Sequence, residues 1–216
     1  MSMQLYGHPF SSYTWKALIA LYANDTPFEF APLGEGKGEN DEFVKSASPQ
    51  GLFPVLRDGE TVVFEASAIV EYLHLHHPGK QPLLPTDSNE ALQVRMIDRV
   101  FDNYVMAIVQ GSVGEAIATG KLSDATRQKV EEKLEKSYRW IDEWLGGYDN
   151  RESVTLIECA AAPSLFYADW VHRIPEQYGR LRDWRAHLLA LPAVARCVED
   201  ARPYRSYFPL GAPDRD

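Results

Sequence analysis

The sequence has few of the residues that hold small extracellular folds or metal sites together. Its 216 residues include only two cysteines, Cys159 and Cys197, which stand far apart and outside any Cys-x-x-Cys pair. This spacing argues against a disulfide framework or a cysteine-based zinc site, and it predicts two buried small thiols. Three histidines cluster at His74, His76 and His77, but only the first and third share a helix face and no carboxylate completes the set. We therefore expect no metal.

Long hydrophobic runs and a basic face are also absent. No stretch reaches membrane-spanning length, and the N-terminus has no basic segment followed by an apolar one, so we expect a cytoplasmic protein. Lysine and arginine number 22 against 31 acidic residues, which gives a net charge of −9. This charge speaks against nucleic acid or an anionic membrane as the main partner. The apolar share of 45% is ample for a packed core.

The most informative stretch runs from residue 48 to residue 73. Its turn at residues 49–51 leads into Pro54 and the strand Val55-Leu56, and Asp58-Gly59 then returns the chain into a second strand at residues 61–64. From Ala66 the apolar residues fall at helical spacing, so a helix starts just after Glu65. An extended backbone edge beside free helix N–H groups suits a small peptide-like anion.

The N-terminal segment predicts a β-α-β unit that precedes this hairpin. Residues 4–6 form a strand candidate, Ser11-Ser12 precedes an apolar helix from Tyr13, and residues 28–30 form a second strand. Residues 34–40 are glycine-rich and flanked by glutamates, which predicts a mobile surface loop with no strong helix directly after it.

The remainder divides into a linker and a helical half. Residues 78–85 carry three prolines and a glycine, and helical periodicity then extends nearly to the C-terminus. The predicted helices are 91 to about 118, 123–145, 155–172, 178–191 and 193–201. Thr155 and Glu158 have the spacing of a capping box.

Two motifs resemble cytosolic glutathione transferases of the serine type, with zeta-like and theta-like features of bacterial members. The first is the order of Pro54, hairpin and "EASAIVEYL", and the second is "TLIECAAAPSLFY", similar to the family's capping-box signature in the helical domain. The resemblance implies α/β plus all-α architecture. Residues 1–77 would form a thioredoxin-like glutathione-binding domain, 78–85 a linker and 86–216 an all-helical domain carrying the hydrophobic substrate site.

The resemblance also implies the residues that handle glutathione. The bond Phe53-Pro54 would be cis, with the Phe53 backbone pairing the cysteine of glutathione. Ser11, in "SSYTWK", would donate a hydrogen bond to the sulfur. Such a bond contributes about 1.5–3 kcal/mol. This is enough to lower the pKa of a bound thiol from near 8.5 by about one to two pH units. Ser12 and then Tyr6 remain as alternatives to Ser11.

One position departs from the family pattern. The glutamyl carboxylate of glutathione is normally held by a serine directly after the glutamate, whereas this chain has Ala66, with Ser67 one place later. The loss of one charge-assisted hydrogen bond would weaken glutathione binding by roughly one to two orders of magnitude unless Ser67 or another donor compensates. Glu65, Ala66 and Ser67 are the expected contacts, with Lys37 a further candidate for the glycine carboxylate.

The expected function is the attack of activated glutathione on a hydrophobic electrophilic small molecule by a homodimeric enzyme. Glutathione is the only co-substrate implied. A glutathione-dependent isomerase or dehalogenase, or a non-catalytic ligand-binding protein of the same fold, is the alternative. The hydrophobic site is expected to include residues of the first long helix of the second half, a later tryptophan and tail aromatics: Phe101, Tyr104, Met106, Trp170, Tyr204, Tyr207 and Phe208.

Overall fold

A four-stranded sheet forms the centre of the N-terminal half. The computed structural model describes residues 2–148 and 153–216, and its strands are β1 (Gln4–Gly7), β2 (Glu29–Pro32), β3 (Val55–Asp58) and β4 (Thr61–Phe64). The strand order is β2-β1-β3-β4. β1 pairs with β2 in parallel and with β3 antiparallel, while β3 and β4 form the predicted hairpin. The β-α-β unit and hairpin therefore join in one mixed sheet, with β2 reaching two residues beyond its predicted end.

Three helices accompany this sheet: α1 (Ser12–Ala23), α2 (Gly38–Ala47) and α3 (Ala66–His76). The prediction that no strong helix follows residues 34–40 was wrong, because α2 begins at Gly38. This helix buries only Val44 along its length and has no side-chain cap at Lys37. It therefore lacks the apolar stripe and the capping residue by which a helix is identified in a sequence.

The C-terminal half consists of helices on both sides of a central helix, α7. They are α4 (Ser88–Phe101), α5 (Ala107–Thr119), α6 (Asp124–Trp144), α7 (Leu156–Val171), α8 (Gly179–Ala190) and α9 (Pro192–Ala201), followed by a 3-10 turn at Arg202–Tyr207. The predicted single helix from residue 91 to about 118 is divided, since a π-helical segment at Asp102–Met106 separates α4 from α5. The other predicted helices agree with the observed ones to within a residue.

Helix α1 packs against both halves of the molecule. It contacts α3 on the sheet side, and α7 and α9 on the helical side. Trp15 is fully buried, and its ring lies 4.9 Å from that of Phe166 on α7. The glutathione transferase fold expected from the sequence, a thioredoxin-like half followed by a helical half, is therefore confirmed.

Two further sequence predictions concern buried groups and membrane helices. Cys159 and Cys197 are both free and buried, as expected, and burial raises the pKa of both thiols. Across residues 2–148 and 153–216, no helix combines the length and the apolar character needed to cross a membrane.

Candidate functional site

Two cavities meet at Phe53, where the halves of the molecule face each other. The apolar cavity, about 320 Å³, is lined mainly by Phe10, Met106, Val109, Val113 and Phe208. The polar cavity, about 300 Å³, is lined by Glu65 and Ala66 at the start of α3 and by Arg99 and Asp102 across from them, among others. Phe53 lines both cavities. A ligand extended along Phe53 would therefore present one end to polar groups and the other to apolar ones.

The serines Ser11 and Ser12 line the apolar cavity at the N-terminus of α1. Ser11 is the N-cap, and its Oγ accepts a hydrogen bond from the Thr14 N–H at 3.3 Å, which leaves the hydroxyl proton free to donate. Ser12 is only 4% exposed, and its Oγ has no hydrogen-bond partner among the described residues. The Ser11 hydroxyl can therefore donate to a ligand atom in this cavity, and the buried Ser12 hydroxyl has its proton uncommitted among the described residues.

Tyr6, the third candidate for thiol activation, lies elsewhere. Its ring is buried against Phe43 with centroids 4.4 Å apart, and its hydroxyl donates to Gln4 Oε1 at 3.0 Å. It is not among the residues that line either cavity. The structure thus favours the two serines over Tyr6 on position alone.

His8 is a cavity residue that the sequence analysis missed. Its Nδ1 accepts a hydrogen bond from the Phe10 N–H at 3.1 Å, and its ring packs edge-on against Tyr204 at 4.8 Å. Burial lowers the pKa of His8. In the neutral ring, an occupied Nδ1 acceptor leaves the proton on Nε2. The imidazole is therefore a neutral hydrogen-bond donor at the edge of the apolar cavity.

The backbone around the polar cavity has the features expected from the sequence. The Phe53-Pro54 peptide bond is cis. Glu65 has a positive φ of 72° and no side-chain cap hydrogen bond, so the first N–H groups of α3 are left without a capping partner. Both Glu65 and Ala66 line the cavity. These N–H groups are suited to an anion such as a carboxylate.

Ser67 faces away from the polar cavity and into a buried cluster of charged residues. Its Oγ accepts from Lys16 Nζ at 2.8 Å and donates to Asp98 Oδ2 at 3.0 Å. Lys16 is 1% exposed, and its Nζ lies 2.5 Å from Asp98 Oδ1 and 2.8 Å from Asp102 Oδ2. The hydroxyl of Ser67 is therefore engaged by protein groups and is not placed to replace the one that Ala66 lacks.

Tyr13 stands beside this cluster and lines the polar cavity. Burial, reinforced by the negative charges of Asp102 and Glu65, raises the pKa of Tyr13 to about 12. The phenol therefore stays protonated at neutral pH and can serve as a hydrogen-bond donor to a ligand in this cavity.

The remaining predicted contacts are divided between the cavities and other parts of the molecule. Lys37 is exposed at the N-terminus of α2 and lines neither cavity. Of the seven predicted hydrophobic-site residues, Met106, Tyr207 and Phe208 line the apolar cavity, and Tyr204 packs against the cavity residue His8. The others are placed as follows: Phe101 is fully buried against Trp184, Trp170 packs on Phe208, and Tyr104 is 61% exposed in a separate groove between α4 and α6.

Val109, Val113 and Ile117, on one face of α5, line the apolar cavity but were not predicted. Their spacing of four residues marks a helix face, yet the same spacing is found on every core-facing helix. Periodicity therefore could not distinguish a cavity wall from ordinary packing at this helix.

Comparison with known proteins finds relatives among the glutathione transferases. The sequence profile described as "Glutathione S-transferase, N-terminal domain" matches residues 5–81. "Glutathione S-transferase 1" of Dianthus caryophyllus is 31% identical over 173 residues, which cover 76% of each chain. A "probable maleylacetoacetate isomerase" of Vibrio cholerae is 26% identical over 213 residues, covering 94% of this chain and 98% of that one.

A solved structure shares the fold. The crystal structure of a glutathione S-transferase from Methylobacillus flagellatus with glutathione bound superposes with a TM-score of 0.78 at 23% identity. The match covers 91% of this chain and 98% of the other. This likeness shows the fold, and the 31% identity to the Dianthus caryophyllus protein over 76% of the chain shows that the chain belongs to the glutathione S-transferase family.

Proposed function

We propose that the protein is a glutathione transferase of the serine type, in which Ser11 stabilises the thiolate of glutathione for attack on an uncharged hydrophobic electrophile. The observation that carries the proposal is the junction at Phe53. Glutathione lying in the polar cavity would reach its sulfur past the Phe53 backbone to the serine hydroxyls, and the electrophile would occupy the apolar cavity beyond.

The N-terminus of α1 supports the activation step. Ser11 Oγ has its acceptor side occupied by the Thr14 N–H, so donation to sulfur is the role left for its proton. A hydrogen bond to an anion stabilises the thiolate by about 1.5–3 kcal/mol, and the helix N-terminus adds about 0.3–1 kcal/mol. Together they favour the reactive form at neutral pH.

The lining of the apolar cavity supports an uncharged electrophile over a dicarboxylate isomerase substrate. No lysine or arginine of the described residues lines it, and His8 has a lowered pKa. Two carboxylates buried there would have no opposite charge to offset their desolvation. The isomerase alternative, which the Vibrio cholerae relative suggests, is therefore less well supported than transfer to a neutral electrophile.

The proposal is tested by turnover of 1-chloro-2,4-dinitrobenzene with glutathione. Ser11→Ala is expected to lower kcat/KM by about 10- to 100-fold, in line with one lost charge-assisted hydrogen bond, while retention on glutathione-agarose persists. Because Ser11 is also a helix cap, the matched control is Ser123→Ala, which removes the N-cap of α6 with the same 3.3 Å bond length at a residue that lines neither cavity.

Other outcomes contradict the assignment. If Tyr6→Phe abolishes turnover and Ser11→Ala does not, the activating hydroxyl is Tyr6. If the wild-type protein shows neither turnover nor retention at millimolar glutathione, the chain is a non-catalytic ligand-binding protein of the same fold.

We also propose that two copies form a homodimer, as the family resemblance implies. The groove between α4 and α6 has Lys133 and Lys136 in its lining beside five apolar side chains, Met96, Val100, Tyr104, Ile108 and Trp140. Three of the apolar ones are exposed: Met96, Tyr104 and Trp140. Contiguous apolar exposure of this kind is typical of a protein interface.

Two further expectations stay predictions. They are the division of the chain into residues 1–77, 78–85 and 86–216, and its location in the cytoplasm.

A further inference from the structure

The site has lost a hydroxyl at Ala66, and the adjacent serine does not replace it. Ser67 Oγ is held in the buried cluster by Lys16 and Asp98. A glutamyl carboxylate at the start of α3 would therefore meet backbone N–H groups and no hydroxyl from residue 66 or 67. If glutathione binds here with useful affinity, another cation or donor must face the same cavity.

Arg99 of α4 has the required position. Its side chain is 57% exposed, and it lines the polar cavity opposite Glu65 and Ala66. The guanidinium is anchored through Nη1, which lies 3.2 Å from Ser67 Oγ and 3.4 Å from Asp98 Oδ2. Within the described part of the chain, its Nε and Nη2 make no hydrogen bond. Two donors thus remain for a ligand.

The charges around Arg99 leave it able to bind an anion. Lys16 sits between Asp98 and Asp102 at 2.5 and 2.8 Å, whereas Arg99 is further from both carboxylates, at 3.4 and 3.7 Å. The two carboxylates are thus paired mainly with the buried lysine. Arg95, one turn earlier on α4, shows the contrasting case, since its Nε and Nη2 donate to the Oε1 and Oε2 of Glu71 in a bidentate pair.

We propose that Arg99 binds the glutamyl α-carboxylate of glutathione and so compensates for the hydroxyl missing at Ala66. This rests on the proposed function. The glutamyl residue carries an α-carboxylate beside an α-ammonium group, and the cavity presents one cation, Arg99, for the carboxylate and two acids, Glu65 and Asp102, for the ammonium group. The planar guanidinium can give two parallel hydrogen bonds to a carboxylate, a geometry that a single hydroxyl cannot offer.

The test is titration calorimetry of purified variants with glutathione. Arg99→Ala is expected to raise Kd by about 10- to 100-fold, the loss of a charge-assisted pair. Arg95→Ala, the matched control on the same helix, is expected to leave Kd within about twofold. Adding Ala66→Ser to Arg99→Ala is expected to recover affinity, because the serine restores a donor to the same carboxylate. Ala66→Ser in the wild-type background should increase the affinity for glutathione by a smaller factor.

A second ligand separates recognition from general damage. Cysteinylglycine lacks the glutamyl residue and should bind more weakly than glutathione. Its Kd should be the same for the wild type and for Arg99→Ala. Equal losses for both ligands would overturn the inference by showing a structural effect. An Arg99→Ala Kd within twofold of the wild-type value would also overturn it. Wild-type protein that binds no glutathione would refute the proposed function itself, a result distinct from either of these.

Discussion

At the scale of single residues, the hydrogen bond from the Phe10 N–H to His8 Nδ1 fixes the charge as well as the orientation of the imidazole. Protonation of Nδ1 would remove this acceptor and place two N–H groups against each other. Burial acts in the same direction, because it lowers the pKa of His8. The folded protein therefore holds His8 neutral at pH values at which the unfolded chain protonates it.

A pH dependence of stability follows. Since the folded-state pKa lies below the unfolded value of 6.5, the unfolded chain binds more protons as pH falls below that value. His8 thus lowers the free energy of unfolding at pH values below about 6.5. The free energy of unfolding, from urea titrations at pH 7.5 and 5.5, should fall more on acidification in the wild type than in His8→Gln. An equal fall in both would contradict the neutral histidine.

Gly7 allows the end of β1 to approach Thr14 closely. A Cβ at residue 7 would lie 2.6 Å from Thr14 Cγ2 and 2.7 Å from its Oγ1, closer than side chains tolerate. Gly7→Ala should therefore lower the free energy of unfolding by about 1–3 kcal/mol. Gly38→Ala is the control, because a Cβ there meets nothing within 4 Å. Equal stability of the two variants in urea would show that the segment moves aside at little cost.

Sequence analysis could not predict the buried charged cluster, because the fold brings its members together from distant positions. Lys16, Ser67, Asp98 and Asp102 meet in space although they come from three helices and the π-helical segment. The available signal was a lone lysine inside the apolar sequence of α1, which indicates a buried partner without naming it. Ser11, Phe53 and Glu65 could be predicted because local motifs mark them, and all three line the cavities.

At the scale of elements, the capping box of α7 joins a loop to the core. Thr155 Oγ1 accepts from the Ile157 N–H at 3.1 Å, while Glu158 Oε2 accepts from the Thr155 N–H at 2.8 Å. Glu158 is buried, and burial raises its pKa, so the bonds it receives offset the cost of its position. The box therefore serves the structure, since Glu158 lines neither cavity.

Removal of the cap should destabilise the fold. Thr155→Ala is expected to lower the free energy of unfolding by about 1–2 kcal/mol, because an N–H at the start of α7 loses its acceptor and the carboxylate loses a neighbour. Thr155→Ser keeps the hydroxyl and should retain most of the stability. The comparison is made by thermal and urea unfolding of both variants. Similar losses in the two would assign the effect to the methyl group.

Element prediction succeeded where side chains mark both periodicity and ends. Residues 155–172 were predicted as one helix, and α7 runs from Leu156 to Val171 between its caps. It failed at the π-helical segment Asp102–Met106, because one extra residue in a turn hardly alters the apolar spacing of a long helix. Yet this segment supplies Asp102 to the polar cavity and Met106 to the apolar one.

At the scale of the whole molecule, the apolar groove between α4 and α6 predicts the behaviour of the protein in solution. Trp140→Glu removes the largest apolar side chain of a groove that also contains Lys133 and Lys136, and the carboxylate that replaces it would have to be desolvated in a dimer. Light scattering after size exclusion should give a dimeric mass for the wild type and a monomeric mass for the variant. Arg127→Glu, on α6 outside the groove, is the charge-changing control. A monomeric wild type would refute the dimer proposal.

Helix α1 connects the two halves through more than surface contact. Trp15 packs on α7, Lys16 pairs with Asp98 and Asp102, and Tyr167 Oη donates to the Phe10 carbonyl at 2.8 Å just before the serines. A chimera could join the first eighty residues of this chain to the helices of a distant relative. Trp15 and Lys16 would then lose the residues of α7 and α4 that they contact here. Recombination within the family would therefore have to exchange this helix together with the faces it touches.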